Sequence, residues 1–253
     1  MTIIASGVAA NADPLSLLEI VTAFCERTAL PVPTGVMFST DAHIRQIRAL
    51  LEEEGKVLSS RGTWEILTYE ASHTTIADED QGAIADLCPN GFRYIKNQTI
   101  WDRTDRLPVF GPMNANDWQA IKAVVSTGPR YRFRIRGGKL LVNPVPTAGH
   151  LWYWEYVSKN WILDGDSGDG KRHFSKDTDV IGIPEELVLM GLRWRWKKEK
   201  GLEYAEDFRD YELMVKDALS RDGAKPVLDM GQDPLRSLKP GIFVPAGSWS
   251  VTP

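Results

Sequence analysis

Residues 183 to 201 read Ile183-Pro184-Glu185-Glu186-Leu187-Val188-Leu189-Met190-Gly191-Leu192-Arg193-Trp194-Arg195-Trp196-Lys197-Lys198-Glu199-Lys200-Gly201, and the chain continues from Leu202 to a second stop at Gly223. The opening is a helix start. Proline at the first helical position gives up no useful N–H, and two carboxylates follow at the positive end of the helix dipole. From Leu187 to Lys200 the apolar side chains fall on two opposite faces, Leu187, Met190 and Trp194 on one and Leu189, Leu192 and Trp196 on the other. The half beginning at Leu202 has one stripe only: Tyr204, Ala205, Phe208, Tyr211, Val215, Ala218 and Leu219, with Glu212 and Lys216 spaced to pair at i,i+4. Gly201 between the halves predicts a kink or break. A helix apolar on two sides has two covers. Periodicity allows both to come from its own domain, or one from a neighbouring subunit, in which case Leu189, Leu192 and Trp196 are the interface.

Working outward toward the N-terminus, residues 1–12 are small and weakly polar. Asp13-Pro14 is a cap-and-proline start for a helix carrying Leu17, Leu18, Val21, Phe24 and Cys25, closed by Pro31 and Pro33. A second helix follows Ser39 or Thr40, with Ile44, Ile47, Leu50, Leu51 and Leu58 on its apolar face and Glu52-Glu53-Glu54-Gly55 as an exposed, interrupting turn. From Trp64 the period moves toward two. Residues 66–76, 92–101 and 131–142 are rich in β-branched and aromatic residues, and Gly137-Gly138 has the form of a hairpin turn. Leu151-Trp152-Tyr153-Trp154-Glu155-Tyr156-Val157 is the strongest strand, apolar on both faces. A short helix is predicted over 116–126. The last thirty residues hold five prolines and little periodicity, yet Ile242, Phe243, Val244 and Trp249 are apolar enough to dock on another surface.

The fold class is therefore α+β. An N-terminal helical part (1–62) and a long C-terminal helix (183–223) form a helical bundle. An antiparallel β-rich part (63–182) is inserted between them, and an extended docking tail (224–253) follows.

Composition bounds the function. The chain has 253 residues, 25% charged and 43% hydrophobic, with nine tryptophans and a formal net charge of −4. That is enough length for a sizeable core, and the charge is not that of a polyanion-gripping protein. Cys25 and Cys88 match no metal or redox spacing, which predicts free thiols in a reducing compartment. The first residues carry no basic leader, and no apolar run approaches the roughly 18–20 residues of a membrane helix, so no membrane partner is expected.

Chemical motifs are weak. Gly165-Asp166-Ser167-Gly168 has the form of a nucleophile loop, but Asp169-Gly170 follows, and His43 sits in a helical pattern. Asp164, Asp166 and Asp169 lack the glycine and glutamate of a calcium loop at the required offsets, so the segment reads as an exposed excursion. His43, His73, His150 and His173 are scattered singly, and Asp78-Glu79-Asp80 reads as a solvated turn. No catalytic residue, metal ligand or cofactor is assigned. Arg193 to Lys198 interleaves basic and aromatic groups around a helix axis, which favours core tryptophans with snorkelling lysines over a stacking groove. Arg130, Arg132, Arg134 and Arg136 are different: they alternate with Tyr131, Phe133 and Ile135, giving a basic stripe suited to an acidic surface or a phosphate backbone.

The order of several segments resembles that of the head-to-tail adaptor proteins of tailed bacteriophages, the tail tubular protein A or neck adaptor type. They are Leu17-Leu18-Glu19-Ile20-Val21 with Leu30-Pro31-Val32-Pro33; Ala49 to Gly55 leading to Arg61-Gly62-Thr63-Trp64-Glu65-Ile66-Leu67; and Asn97-Gln98-Thr99-Ile100-Trp101-Asp102-Arg103-Thr104. Gly111-Pro112-Met113, Asp117-Trp118-Gln119, Leu140 to Pro144, Trp154-Glu155-Tyr156 and Ile183 to Leu187 follow in the same order. The resemblance covers about residues 14–220 and leaves out the tail and the loop near Asp166. It implies a non-enzymatic virion protein, made in the host cytoplasm, that forms a dodecameric homo-oligomeric ring between the portal protein and the tail nozzle or other tail proteins. Double-stranded DNA would pass through the lumen without specific binding. Ile242, Phe243, Val244 and Trp249 would dock on the portal. The alternatives are another neck or tail-terminator protein, and a metal-dependent hydrolase built on the Asp164–Asp169 loop.

Overall fold

The fold was obtained as a computed structural model, which describes residues 15–123 and 130–223. Six helices and eleven strands follow in order: α1 (Leu17–Arg27), α2 (Ala42–Ser60), β1 (Thr68–Thr74), β2 (Asp80–Ala83), α3 (Ile84–Leu87), β3 (Phe92–Ile95), β4 (Trp101–Asp102), β5 (Leu107–Pro108), α4 (Ala115–Ala123), β6 (Arg132–Arg136), β7 (Lys139–Asn143), β8 (Leu151–Ser158), β9 (Ile162–Leu163), β10 (Gly170–Lys171), β11 (Val180–Ile181), α5 (Glu185–Glu199) and α6 (Ala205–Arg221). The protein is α+β, and among the described residues every pairing between these strands is antiparallel, with one isolated parallel bridge from Phe110 to Arg132.

Helix α1 begins later than its sequence suggests. Its cap is Ser16, whose hydroxyl accepts from the Glu19 amide while the Glu19 carboxylate returns a bond to the Ser16 amide. Asp13 and Pro14 lie outside the described residues. The helix also ends before the prolines: Ala29 has φ 54°, and the Leu30 amide bonds back to the Cys25 carbonyl, which closes the helix in a Schellman turn. Helix α2 is capped by Asp41 and not by Ser39 or Thr40. It runs without interruption through Glu52-Glu53-Glu54-Gly55, and Glu54 and Gly55 are buried. The expected break was an error of pattern reading, because three successive glutamates resemble a solvated face.

The C-terminal stretch is two helices, broken at Gly201 as its glycine implies. Helix α5 is covered on both faces by the same chain: it packs against α2, α1 and α6. Leu189, Leu192 and Trp196 are 6%, 0% and 7% exposed, which puts the residues expected at a subunit interface inside the chain's own core. Trp196 lies edge-on to Phe24 of α1, and Trp194 lies edge-on to Phe208 of α6. Lys200 and Lys198 extend over these two indoles. Glu212 does not pair with Lys216; it meets Arg61 at the end of α2, 2.5 Å away.

What fixes the crossing of these helices is Glu54. Its fully buried carboxylate takes Arg195 Nε of α5 at 2.6 Å and the Tyr211 hydroxyl of α6. Arg195 also reaches Glu53. A Cβ on Gly191 would overlap the Glu54 carboxyl group, and one on Gly55 would overlap the Trp161 ring, so the close approach of α2 to α5 and to Trp161 depends on both glycines.

The β region is organised by β8. One of its edges pairs with β1, from Thr68 opposite Val157 to Thr74 opposite Leu151, while its other edge pairs with β4 at Trp152 and Tyr153 and with β3 from Tyr156 to Ser158. A second sheet has the order β2-β7-β6, and a small third sheet the order β10-β9-β11. Gly137 and Gly138, with φ 60° and 74°, form the expected two-residue hairpin turn between β6 and β7. The short helix is α4, ending at Ala123 among the described residues. Asp80, read as part of a turn, opens strand β2 and pairs with Lys139. Trp152, Trp154 and Tyr156 of β8 are buried in the β core, while Val157 belongs to the helical core. Trp64, Leu67, Trp161, Ile162, Phe174 and Ile181 join the helical core too, so the two cores do not divide at residues 62 and 183.

Replacing Glu54 by Ala takes from Arg195 its fully buried partner and leaves it Glu53 alone, and is expected to cost about 3 kcal/mol. Tyr211→Phe removes a single bond to a charged group and is expected to cost about 1.5–3 kcal/mol. Urea unfolding of the two variants beside the parent checks both the size and the order of these losses.

Candidate functional site

Three groups of residues stand out from the framework: the loop from Asp164 to Asp179, the arginine row on β6, and a loop that displays Phe38.

The Asp164–Asp179 loop is closed upon itself. The Asp164 amide bonds to the Asp169 carbonyl, and the Asp164 carbonyl accepts from the Gly168 amide, each at 2.8 Å. One Asp164 carboxylate oxygen accepts from the amides of Asp166 and Ser167, and the carboxylate also receives Lys171 and Lys176. Lys171, foremost, and the Asp166 amide hold the Asp164 carboxyl well below the usual carboxylate range. Lys171 bridges onward to Asp179, whose other oxygen accepts from the amides of Ser175 and Lys176. These carboxylates are occupied by ammonium groups and backbone N–H groups, and Ser167 donates to Asp169. His43 lies against the Trp196 ring and His173 against Glu52. Neither is arranged as a base for Ser167, so the geometry is that of a structural clasp.

The same loop holds the connection between α1 and α2. Asp177 accepts from the amides of Val36 and Met37, at 3.1 and 2.8 Å, and Arg48 bonds to the Met37 carbonyl. Phe38, the next residue, is 93% exposed, and Val32 in the same connection is also exposed. Sequence reasoning missed Phe38. The available signal was a phenylalanine in a Pro/Gly-containing stretch with no helical or strand period around it.

The arginine row is where the sequence places it. Phe133 is buried and Ile135 partly so, while Arg132 and Arg136 are exposed and Arg134 half-exposed on the alternate positions; Arg130 precedes the strand and is exposed. Successive arginines on the strand are about 6.8 Å apart along the backbone. Among the described residues the arginines that meet carboxylates are Arg61, Arg103, Arg193, Arg195 and Arg221, and none of the row is among them. Strand β6 is at the border of its sheet, beyond β7. Part of its outer edge is covered, because Phe110 and Met113 exchange backbone bonds with Tyr131 and Phe133.

Ile242, Phe243, Val244 and Trp249 lie outside the described residues. Among the described residues, one mixed set of carboxylates and imidazole converges closely enough to ligate an ion: Asp102, Asp105 and His150. No helix among them is long and apolar enough to cross a membrane. Cys25 and Cys88 are free and buried. No protein-family model matches the chain, and no curated protein matches it.

The clasp carries a pH signature. Burial pushes the Asp179 carboxyl up, but the Ser175 amide, Lys171 and the Lys176 amide outweigh it and hold its pKa below the ordinary value. A depressed carboxyl contributes stability that is present above its unfolded pKa, about 3.9, and is lost as pH falls through the folded value. Asp179→Asn is therefore expected to lower the urea midpoint at neutral pH and to flatten its decline below about pH 4. Urea titrations of parent and variant from neutral pH into acid measure both effects.

Proposed function

We propose that this chain is a structural virion protein, a head-to-tail adaptor that assembles as a ring between the portal protein and the tail of a tailed bacteriophage. Support comes first from the order of the segments from Leu17 to Leu187 that resembles such adaptors. The single structural observation that carries the reading is the row Arg130, Arg132, Arg134 and Arg136, without carboxylate partners among the described residues, on a chain whose net charge is −4. Such a row fits an acidic protein surface, and an acidic chain offers one on each neighbouring copy.

In this reading the helices build the wall of the ring, the antiparallel sheets face the tail proteins, and residues 224–253 extend to the portal. Double-stranded DNA passes through the lumen without specific binding, since a net negative wall does not hold a polyanion. Because α5 is enclosed by its own chain, contacts between copies fall to other surfaces. Phe38 and the arginine row are the candidates, because they are exposed beside or on backbone held by hydrogen bonds, and Val32 is exposed in the same connection as Phe38.

Two experiments test this. Reversing the row as Arg132→Glu, Arg134→Glu and Arg136→Glu is expected to abolish ring assembly and co-purification with portal protein while changing the free energy of unfolding by no more than about 0.5 kcal/mol per substitution. If the parent instead binds short duplex DNA with a steep salt dependence that the reversal removes, the row belongs to nucleic acid and the subunit assignment fails. Truncation after Gly223 is expected to abolish portal attachment and leave the folded body intact by circular dichroism. Unchanged attachment refutes the docking role of Ile242, Phe243, Val244 and Trp249.

A further inference from the structure

Strand β4 ends at Asp102, and the chain turns through Arg103 to Arg106 before β5. Across the sheet from it, His150 leads into β8, with Asp102 opposite Trp152 in the ladder. His150 Nδ1 is 2.8 Å from Asp102 Oδ2 and 3.5 Å from Asp105 Oδ2. The three donor atoms all lie within 4.8 Å of one another. Donors about 2.0–2.2 Å from a common metal ion are about 3.0–3.5 Å apart in tetrahedral or octahedral arrangements; the 3.5 Å separation lies in that range and the 2.8 Å one just below it.

Hydrogen bonds to the backbone fix Asp102 and His150 and bring the Asp105 amide against Asp102. The other Asp102 oxygen accepts from the amides of Thr104 and Asp105, at 2.8 and 3.0 Å, leaving Oδ2 turned to the imidazole. Thr75 bonds to both the amide and the carbonyl of His150, and the Thr104 hydroxyl accepts from the Leu151 amide. Asp102 is fully buried, His150 largely so, and Asp105 is 40% exposed, so one side of the set opens to solvent that can complete a coordination sphere.

An ion pair alone satisfies this arrangement incompletely. The imidazolium has one proton on Nδ1, and it can be given well to one carboxylate only, yet two carboxylates face that nitrogen. A divalent cation replaces the proton and meets both oxygens and the nitrogen. Asp102 itself is held by the Thr104 and Asp105 amides on one oxygen and by His150 on the other. The Asp102 bond, opposed by desolvation and aided by the charges of Asp102 and Asp105, raises the His150 pKa.

The geometry points to a divalent transition-metal site formed by Asp102, Asp105 and His150, with zinc the best fit, that pins the β4–β5 turn to the start of β8. The donor set is mixed oxygen and nitrogen, which suits zinc over calcium or magnesium, and zinc binds such a site more tightly than manganese.

The test is calorimetric titration of the full chain with zinc chloride and, separately, manganese chloride, with thermal unfolding in parallel. The expected result is one saturable zinc site per chain, tighter than for manganese, and a melting temperature that rises with zinc. Asp105→Asn, which changes the exposed ligand and spares the buried one, is expected to weaken zinc binding at least tenfold, and His150→Gln to remove the site. His173→Gln, at an exposed histidine elsewhere, is expected to bind as the parent does. The absence of saturable zinc binding in the parent, or undiminished binding in Asp105→Asn and His150→Gln folded to the parent's circular dichroism, overturns the proposal and leaves an Asp–His ion pair only.

Discussion

A carboxylate with no access to water holds the helical half of this protein in register. Glu54 lies where α2, α5 and α6 meet, and its charge is balanced by Arg195 and its second oxygen by the Tyr211 hydroxyl. A buried ion pair contributes little net stability against an apolar replacement of the same shape, because its desolvation offsets most of its attraction. Its effect is selective: any packing that slides α5 along α2 leaves a charge without a partner. Gly191 and Gly55 belong to the same arrangement, since side chains there would push α5 and Trp161 away from α2. Arg195 stacks in turn on Trp194, which contacts Phe208 and Tyr211, so the ionic centre and the aromatic cluster of α6 are one assembly.

Strand β8 carries this order into the sheets. Trp152, Trp154 and Tyr156 fill the β core, and Val157 at the end of the same strand enters the helical core. The segment that follows supplies Trp161, which lies on Gly55, and then the clasp of Asp164, Lys171 and Asp179. Asp177 of that segment holds Val36 and Met37. A loop that reads as an exposed excursion thus ties the connection carrying the exposed Phe38 to the framework, its own carboxylates meeting Lys171 and Lys176.

Much of the architecture was legible wherever one local rule acted alone. The Gly137-Gly138 turn needs left-handed backbone at two positions, and Gly201 stops a helix, so composition decides both. Alternation along Arg130 to Arg136 placed the arginines on one face of a strand. The failures have a common cause. Glu54 looked solvated because its neighbours Glu52 and Glu53 are charged, and nothing local indicates that Arg195, 141 positions away, comes to meet it. Leu189, Leu192 and Trp196 looked surplus because periodicity counts faces and cannot say whose side chains cover them. The Asp102–Asp105–His150 set was invisible for the same reason, since His150 reaches the two aspartates only through strand pairing.

In the proposed adaptor the exposed arginine row and the loop of Phe38 meet protein neighbours within a particle. Electron cryomicroscopy of a tailed particle containing this chain tests it most directly. The account predicts a ring of this chain between portal and tail, with Arg132, Arg134 and Arg136 against acidic side chains of an adjoining subunit. A particle in which the chain lies elsewhere, or a ring in which that row faces open solvent, contradicts it.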